Sequence, residues 1–328
     1  MAVFYTIVLT FLMSLNVSVH CASAVHSHGH NLEMAERESD GGYRPRDYEH
    51  YTDTGHNSEF DHEAILGSMK EAEEFDRLKP EEARRRLALL LPDMDLNADA
   101  HIDRRELKQW ILNSFVKLSR EEAEERMSEA DFNSDGVVTW LEYLHDGFGV
   151  DSEEEVSPGD TGDTGMLLHQ EKAMWKTADT NGDGKLNLDE FTVFINPEEH
   201  EAMHPYLLNQ TLREKDANRD GRIDLDEYIG DRGAQQSDEW LLAEKDKFHH
   251  ELDLDHDGQL DAAELHRWVI PDNDEIAAEE VDHLFEMADD DRDGRLSFEE
   301  VLAHQDVFVG SDATGYGQLL DHGYGDEL

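Results

Sequence analysis

The sequence predicts an all-α protein built from six helix–loop–helix units that join in three pairs through short β contacts. Two observations lead to this prediction. A twelve-residue acidic pattern recurs six times, with start-to-start spacings of 36, 48, 37, 37 and 36 residues, which is the regularity of an internal repeat. The chain is also only 38% hydrophobic and 33% charged, so it can bury apolar surface in several small helical units rather than in one large core.

The clearest copy of the repeat runs from Asp179 to Glu190. Positions 1, 3 and 5 carry side-chain oxygens, position 7 offers a backbone carbonyl, position 9 acts through water, and Glu190 at position 12 can bind with both carboxylate oxygens. Gly184 at position 6 permits a sharp turn that a Cβ would strain. This arrangement is typical of the EF-hand calcium loop. We therefore predict six EF-hands arranged as three pairs, with Ca²⁺ as the bound ion.

Six loops fit this pattern when glutamate is placed at position 12, and they define hands 1 to 6 in chain order. Each loop supplies candidate metal ligands at positions 1, 3, 5, 7, 9 and 12. The predicted ligands are Asp95, Asn97, Asp99, His101, Asp103, Glu106, Asp131, Asn133, Asp135, Val137, Thr139, Glu142, Asp179, Asn181, Asp183, Lys185, Asn187, Glu190, Asp216, Asn218, Asp220, Arg222, Asp224, Glu227, Asp253, Asp255, Asp257, Gln259, Asp261, Glu264, Asp289, Asp291, Asp293, Arg295, Ser297 and Glu300. Five loops have glycine at position 6, whereas loop 1 has Ala100, and Pro92 lies in the helix leading into it. Loop 1 is therefore expected to bind calcium most weakly.

Consecutive hands are expected to pair through the apolar residue at loop position 8. The predicted contacts join hands 1 and 2, 3 and 4, and 5 and 6: Ile102 with Val138, Leu186 with Ile223, and Leu260 with Leu296. This grouping divides the chain into pairs over 59–150, 166–232 and 233–310, with an acidic linker at 151–165 and a tail at 311–328. Ser119 is expected to open the helix entering loop 2, and Asn196 the helix that follows hand 3.

The first 24 residues read as a secretory signal peptide. An apolar run from Val3 to Val19 ends in Ala22-Ser23-Ala24, an Ala-x-Ala cleavage pattern. Residues 25–58 have no hydrophobic periodicity and are rich in histidine and acidic residues, so we expect them to be disordered. Their histidines His26, His28 and His30 either hold a transition metal or belong to a solvated tail.

The remaining sequence signals concern charge and cellular address. The formal net charge of −51 argues against nucleic acid as a partner, and no segment after the signal peptide is apolar enough to span a bilayer. Asn209-Gln210-Thr211 is an N-glycosylation pattern. The last four residues, Gly325 to Leu328, resemble a retention signal of the endoplasmic reticulum in which Gly325 replaces the basic residue. The expected location is the lumen of the endoplasmic reticulum, with leakage to the Golgi or the outside.

Two flanking motifs and the six loops together resemble one family. The motifs are the stretch from Phe60 to Gly67, continued by Pro80-Glu81-Glu82, and the tail from Val307 to Gly317. With the loops they are similar to the CREC family, the reticulocalbin and calumenin group of secretory-pathway calcium proteins. The resemblance implies roles in the folding, sorting or transport of client proteins.

Three functions remain open. The first is calcium-dependent interaction with client proteins, favoured by aromatic residues on or beside the exit helices: Trp110, Tyr143, Phe194, Tyr228 and Trp268. The second is passive calcium buffering. The distant third is a zinc metalloprotease, because His200, Glu201 and His204 form a His-Glu-x-x-His pattern. We expect no enzymatic activity, since Pro205 follows this pattern directly and the surrounding residues are needed for EF-hand helices.

Overall fold

The computed structural model describes residues 37–38, 40–48, 50–52, 55–150, 152 and 163–310. The predicted signal peptide, His26 to His30, most of the 151–165 linker and the 311–328 tail lie outside these residues. Within the described ranges, no helix combines the length and the apolar character needed to cross a membrane.

The described chain is helical, as predicted, with short strands between the helices. The fourteen α-helices in these ranges are α1 Glu59–Leu66, α2 Met69–Asp76, α3 Pro80–Met94, α4 Arg104–Ala130, α5 Trp140–Phe148, α6 Asp163–Ala178, α7 Leu188–Ile195, α8 His204–Lys215, α9 Leu225–Ile229, α10 Asp238–Lys247, α11 Ala262–Val269, α12 Asn273–Ala288, α13 Phe298–Ala303 and α14 Gln305–Phe308. The strands are β1 Tyr51–Thr52, β2 Gly55–His56, β3 His101–Ile102, β4 Val137–Thr139, β5 Lys185–Asn187, β6 Ile223–Asp224, β7 Gln259–Leu260 and β8 Leu296–Ser297. Two 3₁₀ segments (Pro197–Glu199 and Gly230–Gln235) and a π-helix (Phe248–Leu252) complete the set.

The last four positions of every loop explain why a helix begins there. The residue at position 9 caps the exit helix with its side chain, and the glutamate at position 12 reaches back to the backbone N–H of the cap. This reciprocal capping box satisfies N–H groups that have no partner inside the helix. The candidate metal ligands therefore also set the start of all six exit helices.

The hands form three pairs, but the predicted partners are wrong. Strand β3 of hand 1 pairs with β8 of hand 6, β4 of hand 2 with β5 of hand 3, and β6 of hand 4 with β7 of hand 5, all antiparallel. The position 8 contacts are therefore Ile102 with Leu296, Val138 with Leu186, and Ile223 with Leu260. The use of position 8 was predicted correctly, whereas the choice of neighbour was not.

Helix α4 gives the physical reason for this shift. It runs without a break over 27 residues and serves as both the exit helix of hand 1 and the entering helix of hand 2. A helix of that length spans about 40 Å, so loops 1 and 2 lie at opposite ends of a rod and cannot form a β contact. Ser119 lies inside this helix, where its hydroxyl donates to the carbonyl of Phe115, and the prediction that it opens a helix is wrong.

Each pair of hands has its own hydrophobic core. One cluster joins hands 1 and 6 with α1 and α2. A second joins hands 2 and 3, and a third joins hands 4 and 5. The chain thus runs from hand 1 through the pair of hands 2 and 3 and the pair of hands 4 and 5 to hand 6, which packs against hand 1.

The expectation of disorder over residues 25–58 is wrong for the described part of that range. Tyr43 is buried in the core of hands 4 and 5, and its backbone N–H donates to the carbonyl of Val269 at 2.9 Å. Asp40 and His50 are also buried. Buried polar groups of this kind hold a segment in place only when they have partners, and Asp40 has one in the ammonium group of Lys247 at 2.8 Å.

Candidate metal centres

The aspartate at position 1 organises the first half of each loop. Its carboxylate accepts hydrogen bonds from the backbone N–H groups of positions 5 and 6 in all six loops. In loop 3 the two distances are 3.2 Å from the N–H of Asp183 and 2.8 Å from that of Gly184. These bonds curl the chain around the position 1 carboxylate.

The glutamate at position 12 closes the loop from the other side. Its carboxylate accepts from the N–H of position 9 in every loop, at distances of 2.8 to 3.2 Å. In loop 5 carboxylate oxygens of Asp253, Asp255 and Glu264 lie within 4.8 Å of one another, and in loop 6 those of Asp289, Asp291 and Glu300 do the same. Such crowding of like charges is unfavourable without a cation, and an all-oxygen set suits Ca²⁺.

The backbone is left-handed at positions 4 and 6 of every loop. Position 6 is a glycine with φ of 82° to 86° in loops 2 to 6, and in loop 1 it is Ala100 with φ of 63°. Ala100 thus adopts the turn that its side chain disfavours, and its N–H still reaches Asp95 at 2.8 Å. Pro92 is accommodated inside α3, which continues to Met94.

Within each pair, a basic side chain of one loop forms an ion pair with an aspartate of the other loop. The basic residue at position 7 contacts the aspartate at position 5 of its partner: Lys185 with Asp135 at 3.7 Å, Arg222 with Asp257 at 2.7 Å, and Arg295 with Asp99 at 3.1 Å. These ion pairs were not predicted from the sequence, although the distribution of basic residues at position 7 indicates them. Each observed pair has one lysine or arginine at position 7. The predicted pairing would have put two of these residues in hands 3 and 4 and none in hands 1 and 2.

The protease alternative does not match the geometry. A His-Glu-x-x-His zinc site needs both histidines on one face of a helix. His200 is extended, with φ −116° and ψ 110°, and α8 begins only at His204. The ring of His204 contacts the carbonyl oxygen of Glu198 at 2.7 Å and His266 at 3.2 Å. Asn196 was predicted to open the helix that follows hand 3, and this prediction is wrong. Asn196 precedes only a 3₁₀ turn, and the helix begins at His204.

Comparisons with known proteins identify the same EF-hand units. A family model described as an EF-hand domain pair matches residues 171–230 and 245–304. Reticulocalbin-2 of Mus musculus is 39% identical over 290 residues, covering 85% of this chain and 90% of the relative. Reticulocalbin-2 of Crotalus adamanteus is 36% identical, with 81% and 89% covered, and Reticulocalbin-3 of Mus musculus is 34% identical, with 85% and 87% covered. The chain therefore belongs to the CREC family, whose members include the reticulocalbins, and it binds Ca²⁺ through EF-hands.

Proposed function

We propose that this chain is a low-affinity calcium-binding protein of the endoplasmic reticulum lumen that binds client proteins in a calcium-dependent manner. Family membership supports a secretory-pathway location, as do the predicted signal peptide and the C-terminal sequence. The role is one of binding rather than catalysis. Affinities in the range of about 10⁻⁴ to 10⁻³ M, typical of extracellular calcium modules, would let the loops respond to changes in lumenal calcium.

The proposed ligands are the 36 residues named at loop positions 1, 3, 5, 7, 9 and 12. The repeated hydrogen bonds of the position 1 and position 12 carboxylates support this assignment, because they turn both groups toward the interior of each loop. When Ca²⁺ binds, the position 12 glutamate is expected to bind with both oxygens.

One observation carries the proposal of calcium-dependent interaction. In every hand the residue directly after the position 12 glutamate is buried in a core: Leu107, Tyr143, Phe191, Tyr228, Leu265 and Val301. A backbone shift that carries this glutamate toward an ion would therefore also move a core side chain on the first turn of the exit helix. Calcium binding is in this way coupled to helix position, which is how sensor EF-hands expose apolar surface.

Exposed apolar residues beside the loops add to this support. Leu96, Phe132 and Leu254 all occupy position 2 of their loops and are more than half exposed. Leu141, in the first turn of α5, is exposed as well. A large apolar side chain that remains in solvent next to a metal site can contact a partner whose approach depends on the ion.

Passive buffering is the second candidate function, and the charge distribution favours it. Only 23 of the 79 acidic residues are carboxylate ligands of the loops, so most of the negative charge lies elsewhere on the chain. Such a charge density attracts calcium weakly without a conformational response.

The two functions are separated by measuring the response to bound calcium. Hydrophobic-dye fluorescence and capture of lumenal proteins by the immobilised chain would be followed over about 10⁻⁵ to 10⁻² M calcium, a range that brackets the expected affinities. The control variant carries glutamine at the six position 12 glutamates. We expect dye binding and capture to rise with calcium for the natural chain and not for the variant. Stoichiometric calcium binding with neither response would favour the buffer.

A further inference from the structure

A second cluster of metal-ligating side chains lies outside the six loops. His50 and His56 come from the N-terminal segment around β1 and β2, Asp61 from the first turn of α1, and His283 from α12. One ligand atom from each residue lies within 4.8 Å of the other three. Residues from three separate parts of the chain thus converge on one point.

The distances suit a tetrahedral metal ion. His50 Nε2 lies 2.6 Å from Asp61 Oδ1, and His56 Nε2 lies 3.1 Å from Asp61 Oδ2. His283 Nε2 is 3.7 Å from Asp61 Oδ2, and the Nε2 atoms of His50 and His56 are 2.9 Å apart. Ligand atoms around a tetrahedral Zn²⁺, each bound at about 2.0 to 2.1 Å, would be separated by about 3.3 Å. The observed distances bracket that value.

The surroundings of Asp61 favour a bound cation. Asp61 is fully buried, and neither of its oxygens has a hydrogen-bond partner among the described residues. His283 Nε2 is buried without such a partner as well. A buried carboxylate in this state is costly unless a cation compensates it. Imidazole nitrogens that approach it without hydrogen-bond geometry are placed as metal ligands would be.

Glu280 adds a second buried carboxyl group to the same place. It lies one turn before His283 on α12, is buried, and has one oxygen 3.8 Å from His50 Nε2. Both of its carboxyl oxygens are buried without a hydrogen-bond partner among the described residues. A divalent cation would offset the negative charge of these two buried carboxyl groups.

We propose that His50, His56, Asp61 and His283 form a Zn²⁺ site that is separate from the calcium loops. Three imidazoles and one carboxylate match the ligands and the coordination number of zinc. They do not match Ca²⁺, which takes six to eight oxygen ligands. The four protein ligands fill a tetrahedral shell, so the site is structural.

Zinc at this site would fasten the N-terminal segment to the body of hands 1 and 6. His50 and His56 belong to that segment, whereas α1 and α12 both pack in the core of this pair. Three of the four ligands are imidazole nitrogens, which Ca²⁺ does not favour, so calcium competes poorly for this site.

The test is a zinc titration of the full chain in saturating calcium, with a chromophoric chelator as competitor. We expect one site per chain, and a loss of affinity of at least tenfold in the His50→Gln/His283→Gln variant, about the least that removing a metal ligand should cost. His250→Gln is the matched control, because His250 is exposed and contacts only Asp246 among the described residues. His26→Gln/His28→Gln/His30→Gln tests the N-terminal histidines. Zinc binding lost only in that triple variant, or unchanged in the double variant, would overturn the proposal.

A measurement on the unaltered chain covers the case in which the double variant fails to fold. X-ray absorption of the zinc-loaded protein in saturating calcium should show four-coordinate zinc with three nitrogen ligands and one oxygen. Hydrogen exchange of residues 50–61 should slow on zinc addition. A six-coordinate shell of oxygens would place the zinc in an EF-hand loop and contradict the assignment.

Discussion

The hydroxyl group of Tyr143 donates a hydrogen bond to Glu171 Oε2 at 2.8 Å and so joins the exit helix of hand 2 to the entering helix of hand 3. Both side chains are buried. The same contact recurs in the next pair, where the hydroxyl of Tyr228 donates to Glu244 at 2.7 Å. Burial, and then this hydrogen bond, raise the pKa of Tyr228. In both pairs the tyrosine follows the position 12 glutamate, so a proposed calcium ligand adjoins the contact between hands.

Replacing Tyr143 by phenylalanine should weaken the contact between hands 2 and 3. The change removes one donor and leaves the buried Glu171 with one partner fewer, at an expected cost of about 1 to 3 kcal/mol. Thermal unfolding in saturating calcium measures the effect. Tyr48→Phe is the control, since Tyr48 is about half exposed. Equal melting temperatures for both variants would show that the hydrogen bond contributes nothing.

The observed pairing predicts which calcium sites respond together. Ile102 of hand 1 is 1% exposed and lies opposite Leu296 of hand 6. Ile102→Ala should destabilise that pair by about 2 to 5 kcal/mol and weaken calcium binding in loops 1 and 6. Site-resolved titration by NMR would follow all six loops, with the exposed Val116→Ala as control. A response in loops 1 and 2 would contradict the β3 and β8 contact.

Loop 1 should bind calcium more tightly when its turn is relaxed. Ala100 has φ of 63°, a conformation that costs about 1 to 2 kcal/mol with a Cβ and little in glycine. Ala100→Gly is therefore expected to increase affinity at site 1. The reciprocal control is Gly184→Ala in loop 3. Beyond its two chain neighbours, no described residue lies within 4 Å of the added Cβ there, so backbone strain alone should weaken site 3. If site-resolved titration shows no change in calcium affinity at either site, backbone strain at position 6 does not control binding.

Removal of calcium should expand the protein and reduce its helix content. The 23 loop carboxylates are crowded, and they repel one another until cations neutralise them. Circular dichroism and small-angle scattering would be compared in calcium and in excess chelator. Adding calcium back is the control for reversibility. A chain that is equally helical and compact in chelator would show that folding does not depend on the ion.

The contact between Lys247 and Asp40 should hold the N-terminal segment against hands 4 and 5. Burial opposes the charge on both groups, yet the ion pair lowers the pKa of Asp40 and raises that of Lys247. The pair therefore stabilises docking above the unfolded pKa of the aspartate and below that of the lysine. This contribution is lost as pH rises through the raised lysine pKa. Lys247→Gln should speed hydrogen exchange at Gly42 and Tyr43, and Lys245→Gln is the control. Unchanged exchange would exclude this role.

The local sequence was enough to identify the loops. Ligand types, the glycine at position 6 and the glutamate at position 12 stand at fixed offsets, and each acts on neighbours within twelve residues. The capping box that starts every exit helix belongs to the same stretch, so short-range chemistry accounts for both the predicted ligands and the observed helix starts. The strained turn at Ala100 could also be predicted from the sequence, because it depends only on the backbone conformation of that residue.

Only the tertiary structure decided which hands meet and what the N-terminal segment contacts. Every position 8 residue is apolar and fits any partner, so the pairing was decided by the unbroken α4, which keeps loops 1 and 2 apart. The zinc ligands are separated by more than 200 residues between Asp61 and His283, and no sequence spacing connects them. Packing of α1 against the core shared with α12 brings them together, because apolar burial is favourable without regard to distance along the chain.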